Sequence, residues 1–150
     1  MAEMLRFNID KFTFQVATDR WYSNEGVWAK WEGMHVVIGL SDYVQQRSGD
    51  VAFVELKPAG SLLNQGEEVA VIETIKVNIS LPSPVSGRVV SLNPEIEKAP
   101  ELINQDPYGT GWLAMISVPD FPIQAQHLLD AQTYYEKIKR EAEQETRNNE

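Results

Sequence analysis

Glu68-Val69-Ala70-Val71-Ile72-Glu73-Thr74-Ile75-Lys76-Val77-Asn78-Ile79-Ser80-Leu81-Pro82-Ser83-Pro84-Val85-Ser86-Gly87 is the stretch that decides the fold of this chain. The run from Glu68 to Glu73 is apolar and β-branched, and Val77 to Leu81 alternates strictly between apolar and polar. Pro82-Ser83-Pro84 then closes the second run as an edge or strand end. Between the two runs Glu73-Thr74-Ile75-Lys76 leaves room only for a tight turn, so the Lys76 ammonium is expected to project from a hairpin tip into solvent. Gly66 lies ten residues before Lys76 and Gly87 eleven after it, which sets the lysine at a pseudo-symmetric centre between two glycine turns. Gly87 is expected to need a positive φ. An amide on such a lysine removes its charge and lengthens the stem into a tether, so that a carried group can visit several active sites. Spacing alone favours the simpler alternative, a solvated surface lysine that carries nothing.

Outward from this hairpin the β pattern continues in both directions. Val27 to Trp31 and Met34 to Leu40 flank Glu32-Gly33 and read as another hairpin, while Ser41 to Gly49 begins with a capping residue and ends on glycine, the pattern of a short helix. Val51 to Leu56, Val85 to Leu92 and Trp112 to Val118 read as further strands. Pro100 prevents a single long helix between Pro94 and Asn104. From Leu5 to Phe14 the alternation predicts an extended arm or a strand. From Ile123 the pattern is helical, with Leu128, Leu129, Ala131, Tyr134, Tyr135 and Ile138 near one stripe, and Glu141 to Glu150 is polar with nothing to bury. Several short strands with helices at the edges predict a compact barrel or sandwich, not a parallel sheet with crossovers.

Composition narrows the function. The chain of 150 residues suits one domain, and 43% hydrophobic residues set it apart from disordered chains. A formal net charge of -9 would repel phosphate, which argues against nucleic acid and against an anionic membrane surface. Cys is absent, so any sulfur chemistry must arrive on a cofactor. His35 and His127 are far apart in sequence and without acidic neighbours in a ligand pattern, which argues against a metal site. Ser86 lacks the Gly-x-Ser-x-Gly elbow of a nucleophile. The aromatic residues Trp28, Trp31, Tyr108 and Trp112 read as packing rather than as a stacking platform. Met1 to Asp10 has no unbroken apolar core, and no later stretch reaches the length of a membrane span, so a cytoplasmic protein is expected.

Four segments carry a resemblance: Glu73-Thr74-Ile75-Lys76, Ser83-Pro84-Val85-Ser86-Gly87, Pro100-Glu101-Leu102-Ile103-Asn104 and Asp106-Pro107-Tyr108-Gly109-Thr110-Gly111-Trp112-Leu113. In this order they resemble the glycine cleavage system H protein family, as do Gly39-Leu40-Ser41-Asp42-Tyr43 and Gly49-Asp50-Val51-Ala52-Phe53-Val54-Glu55-Leu56. The resemblance implies a mainly β fold, the flattened lipoyl or biotinyl-type barrel of two small sheets, with short helices and a C-terminal helix. It implies an N-terminal arm over residues 1–21, an H-protein-like lipoyl domain over 22–138 and a polar tail over 139–150. It further implies a carrier that is not an enzyme, with lipoate attached covalently to Lys76 and Glu73 as the acidic residue that modifying enzymes see. The implied partners are a lipoate-protein ligase or lipoyl synthase machinery, then glycine decarboxylase, aminomethyltransferase and dihydrolipoamide dehydrogenase.

Three departures from the family pattern stand out. Gly26 occupies the place of a usual His, Ser80 stands near that of a usual acid, and Arg88 follows Val85-Ser86-Gly87 where Glu is common. Loss of carboxylate beside a gained guanidinium would disfavour a cationic aminomethyl cargo. These departures resemble those of the lipoate-binding proteins of sulfur oxidation, H-like carriers that serve a heterodisulfide-reductase-like complex, and they favour that role over ordinary glycine cleavage. An unmodified structural subunit is the alternative from another class. Biotin is disfavoured because Ile75 and Val77 flank Lys76 where biotinylated domains carry methionines.

Overall fold

The computed structural model describes residues 2–148. Met4–Ile9 (β1) and Phe12–Ala17 (β2) pair as a hairpin of their own, and Trp21–Tyr22 (β3), Val27–Glu32 (β4) and His35–Leu40 (β5) follow. Helix Asp42–Ser48 (α1) is capped as its sequence predicts. The Ser41 hydroxyl accepts the Val44 N–H at 3.3 Å, and Gly49 ends the helix at φ 90. Then come Val51–Leu56 (β6), Leu62–Leu63 (β7), Glu68–Thr74 (β8), Asn78–Pro82 (β9), Gly87–Leu92 (β10), Leu102–Gln105 (α2), Ala114–Ser117 (β11), Phe121–Gln124 (α3) and Ala131–Asn148 (α4).

All strand pairs are antiparallel. They form a six-stranded sheet in the order β3-β4-β5-β11-β10-β7, a three-stranded sheet β6-β8-β9 and the two-stranded β1-β2. One core joins the two larger sheets: Val36, Ile38, Val89 and Ile116 from the first bury against Val69, Ile72 and Leu81 from the second. The expected mainly β architecture with short helices and a C-terminal helix is present, but the sheets do not close into a barrel. Pro82 and Pro84 explain part of this, since neither offers an N–H to carry β9 onward into a ladder with the other sheet. Outside the ladders, the loop after β6 is tied to β10 by Gly60 N–H to Val89 O at 2.7 Å and Val89 N–H to Ser61 O at 2.9 Å.

Three local expectations are corrected. Gly87 is not among the glycines with positive φ. It opens β10 opposite Leu63, and a Cβ there would lie 2.2 Å from the Ser117 carbonyl oxygen, so close approach of strands requires the glycine rather than a turn. The long helix starts at Ala131, not Ile123, because Leu129 leaves the helical stripe to bridge Tyr22, with reciprocal 2.8 Å backbone bonds. Farther along α4 the expectation of nothing to bury also fails at Ala142, which is 7% exposed within a second core cluster containing Phe7, Phe14, Val16, Tyr43, Tyr134 and Ile138.

Candidate functional site

Lys76 stands exposed in the turn between β8 and β9, with Glu73 opposite Asn78 as the last strand pair before it. The turn is clamped by one hydroxyl. Thr74 Oγ1 donates to Ser48 O at 2.6 Å, also lies 3.0 Å from Val77 O, and accepts the N–H groups of Lys76 at 3.2 Å and Val77 at 3.0 Å. Thr74 N–H donates to Val77 O at 2.8 Å, and Ile75 N–H reaches across to Asp50 O at 3.1 Å. The turn is therefore seated on the loop that follows α1. The lysine stem lies along that loop too, since a Cβ built at Gly49 would stand 3.3 Å from Lys76 Cδ.

What fixes the loop is Asn104, at the end of one of the segments that carry the family resemblance. Its side-chain amide donates to Gly49 O at 3.1 Å and to Gln45 Oε1 at 2.9 Å, and its oxygen accepts the Val51 N–H at 2.8 Å. Gln45 passes the chain on to Asp42 Oδ1 at 2.9 Å, and Asp42 Oδ2 accepts the Gln15 N–H of β2 at 2.9 Å. Tyr108 completes the link: burial pushes its hydroxyl up to about 12, so it stays protonated and donates to Gln15 O at 2.8 Å. Asn104, Asp42 and Tyr108 thus tie the lysine turn to the N-terminal hairpin. Sequence reasoning gave them no such role, because their partners are remote in the chain.

Beside Lys76 lies an open recess of about 330 Å³. The N-terminal hairpin supplies Ile9, Asp10, Phe12 and Phe14, α1 supplies Tyr43, Gln46 and Arg47, and α4 supplies Ala142, Glu145 and Thr146. Arg47 donates to the Tyr43 hydroxyl and pairs with Glu145, both at 2.5 Å. Burial pushes the Tyr43 phenol up against the pull of Arg47, so it accepts this bond as a neutral group.

Gly66, the other glycine of the pseudo-symmetric pair, sits at φ 92 in the turn between β7 and β8. None of the three departures builds a cationic surround for Lys76. Gly26 is buried at φ 85, where a Cβ would meet Val44 at 2.4 Å, so backbone conformation explains it. Ser80 donates to Glu68 Oε2 at 2.5 Å, which keeps a carboxylate at that place from the neighbouring strand. Arg88 belongs to the six-stranded sheet and donates to Gly60 O at 2.8 Å, and it is not among the residues lining the recess. His35 lies in β5 and His127 ends a 3-10 turn, and no group of three His, Cys, Asp or Glu among the described residues could hold a metal ion. Among those residues no helix is long and apolar enough to cross a membrane.

Comparison with known proteins gives a consistent answer. Residues 20–141 match the family model described as glycine cleavage H-protein. The chain is 42% identical over 127 residues to the glycine cleavage system H protein of Thermus thermophilus, covering 85% of this chain and 98% of that one. It is 39% identical over 119 residues to that of Magnetococcus marinus, 79% and 84% of the two chains. Among solved structures it is similar to a glycine cleavage system H protein from Mycobacterium marinum, with TM-score 0.73, 27% identity and coverage of 83% and 99%.

Proposed function

This chain belongs to the glycine cleavage H-protein family, and from that premise we propose that it bears lipoate on Lys76 and carries the aminomethyl cargo of glycine cleavage between enzymes. Members of the family are carriers that shuttle a covalently bound group and are not themselves enzymes. The observation that carries the finer reading is the exposed Lys76, held on a clamped hairpin turn inside the matched region.

The residues present fit a lysine-borne lipoyl group. The Lys76 side chain is exposed, with its stem passing beside Gly49, while Thr74 and Asp50 fix the backbone from which it springs. When bound, the group supplies a pair of sulfurs that can be reduced, loaded and reoxidised on a tether. The chain's own part is positional. Thr74 fixes the turn, the exposed Glu73 offers the modifying enzyme a carboxylate, and the absence of Cys leaves no chain thiol to compete in exchange. Glycine cleavage is preferred to sulfur oxidation because the charge argument for the latter depended on Gly26, Ser80 and Arg88, whose surroundings are structural. The partners on this reading are a lipoate-protein ligase, glycine decarboxylase, aminomethyltransferase and dihydrolipoamide dehydrogenase.

The test has two stages. Mass spectrometry after treatment with a lipoate ligase should find one lipoyl group, on the Lys76 peptide, and none on Lys76→Arg. The modified protein should then support glycine-bicarbonate exchange with a glycine decarboxylase at a rate comparable to an ordinary H protein. Modification on another lysine would overturn the site, and modified protein without exchange would return the sulfur reading.

A further inference from the structure

We propose that the turn of the N-terminal hairpin, Ile9 to Phe12, is a docking element for the enzyme that charges the group on Lys76, and that the partner surface it fits is apolar with a basic rim. The inference rests on the function proposed above, and it concerns a part of the chain that precedes the family match at residue 20.

Position is the first argument. Ile9, Asp10 and Phe12 share one recess with Lys76, so an enzyme that closes on the lysine from this side meets the hairpin turn. Exposure is the second. Phe12 is 50% exposed, and Ile75 and Val77 on either side of the lysine are 73% and 49% exposed. Large apolar side chains therefore stand on both flanks of the modified position, where the centre of an interface would lie.

Rigidity strengthens the case. The hairpin is bound through Gln15 N–H to Asp42 Oδ2 at 2.9 Å and through Gln46 Nε2 to Thr13 O at 2.9 Å, and the Phe12 ring stacks beside Phe14 at 6.2 Å. A knob already ordered in the free protein costs little further entropy when a partner engages it. Charge then defines the rim of the partner. Asp10 lines the recess, Asp50 and Glu73 are exposed at the lysine hairpin, and Arg47 and Glu145 of the lining neutralise each other as an ion pair. Lys11 is the one cation of the turn itself. An apolar face with carboxylates around it is complemented by an apolar socket edged with Lys or Arg.

The experiment uses full-length lipoylated protein and the glycine decarboxylase of the same organism. In glycine-bicarbonate exchange, Phe12→Asp should raise KM for the carrier about tenfold, with the loss on KM rather than kcat, and Phe12→Leu should bring it back to within about twofold of the parent. Amide hydrogen exchange on the unmutated protein should slow at residues 9–12 when the decarboxylase is added, a readout that does not depend on a variant folding. Equal KM for Phe12→Asp and the parent, or an unprotected turn in the complex, would overturn the docking role. Inactivity of the parent itself would break the function proposed above and this inference with it, whereas an active parent with an unprotected turn breaks the inference alone.

Discussion

The two hairpins that meet beside Lys76 are held in different ways. The lysine hairpin sends Val69, Ala70, Ile72 and Leu81 into the main core, and its turn is pinned by hydrogen bonds to the main chain of Ser48 and Asp50. The N-terminal hairpin sends Phe7, Phe14 and Val16 into the second cluster, where rings do the holding: Phe7 and Phe14 lie 5.2 Å apart, Phe14 and Tyr43 5.2 Å, and Phe7 and Tyr135 5.6 Å. A turn that must present one lysine in one place is fixed by hydrogen bonds to main-chain atoms, made by the single Thr74 hydroxyl and by the Ile75 N–H. An element outside the family match adds aromatic area, which one substitution can remove, to the bonds made at Thr13 and Gln15.

The largest expected effect tests this contrast directly. Phe14→Ala removes a ring that is 7% exposed and touches both Phe7 and Tyr43, at an expected cost of about 3–5 kcal/mol. That loss should appear as faster amide hydrogen exchange across β1 and β2, with β8 and β9 close to the parent. Equal acceleration in both hairpins would mean that they open as one cooperative unit and that the contrast is false.

The lysine hairpin was legible in the sequence because its signals are local. Alternation from Val77 to Leu81, the breakers at Pro82 and Pro84 and the space left for a tight turn all lie within a few residues of Lys76. Its seating was not legible. Thr74 finds Ser48, and Asn104 finds Gly49, across 26 and 55 positions of sequence. The alternation of Leu5 to Phe14 likewise predicts extended structure without saying what it packs against. Its turn is Asp10-Lys11, with Asp10 at φ 55, and it lacks the glycine that marks such turns in a sequence. Arg88 misled for a related reason: it follows the family motif closely in sequence, but its strand belongs to the other sheet.

A smaller effect sharpens the account of the lysine turn. Thr74→Val keeps the shape and removes the hydroxyl, leaving the N–H groups of Lys76 and Val77 without that acceptor and Ser48 O without that donor. Partial exposure lets water replace some of these bonds, so a cost near the lower end of about 1–3 kcal/mol is expected. Thr74→Ser restores the hydroxyl and should recover most of it. Denaturant unfolding measures the cost, and the rate of lipoylation at Lys76 should fall in Thr74→Val and return in Thr74→Ser. If both variants were modified at the parental rate, the clamp would not govern presentation of the lysine.

The smallest expected effect lies at the start of α4, the helix on which the N-terminal hairpin rests. Asp130 Oδ1 accepts the Thr133 N–H at 2.8 Å, and that bond holds the Asp130 carboxyl below its ordinary 3.8. Because the folded value is the lower one, the stabilisation is fully present above the ordinary value and fades as the pH falls through the folded value. Asp130→Ala should cost about 1 kcal/mol at neutral pH, as the loss of a helix cap does. The gap between this variant and the parent should narrow below about pH 4 as the carboxyl takes up its proton. Asp130→Asn keeps an acceptor without the charge, so it should retain most of the neutral-pH stability and lose the pH dependence. Since Tyr134, Ile138 and Ala142 of α4 bury in the cluster that holds Phe7 and Phe14, the weakened helix should loosen β1 and β2 before it reaches β8 and β9. Amide exchange across a pH series in the three proteins resolves this, and a pH-independent gap for Asp130→Ala would show that the carboxylate does not cap the helix.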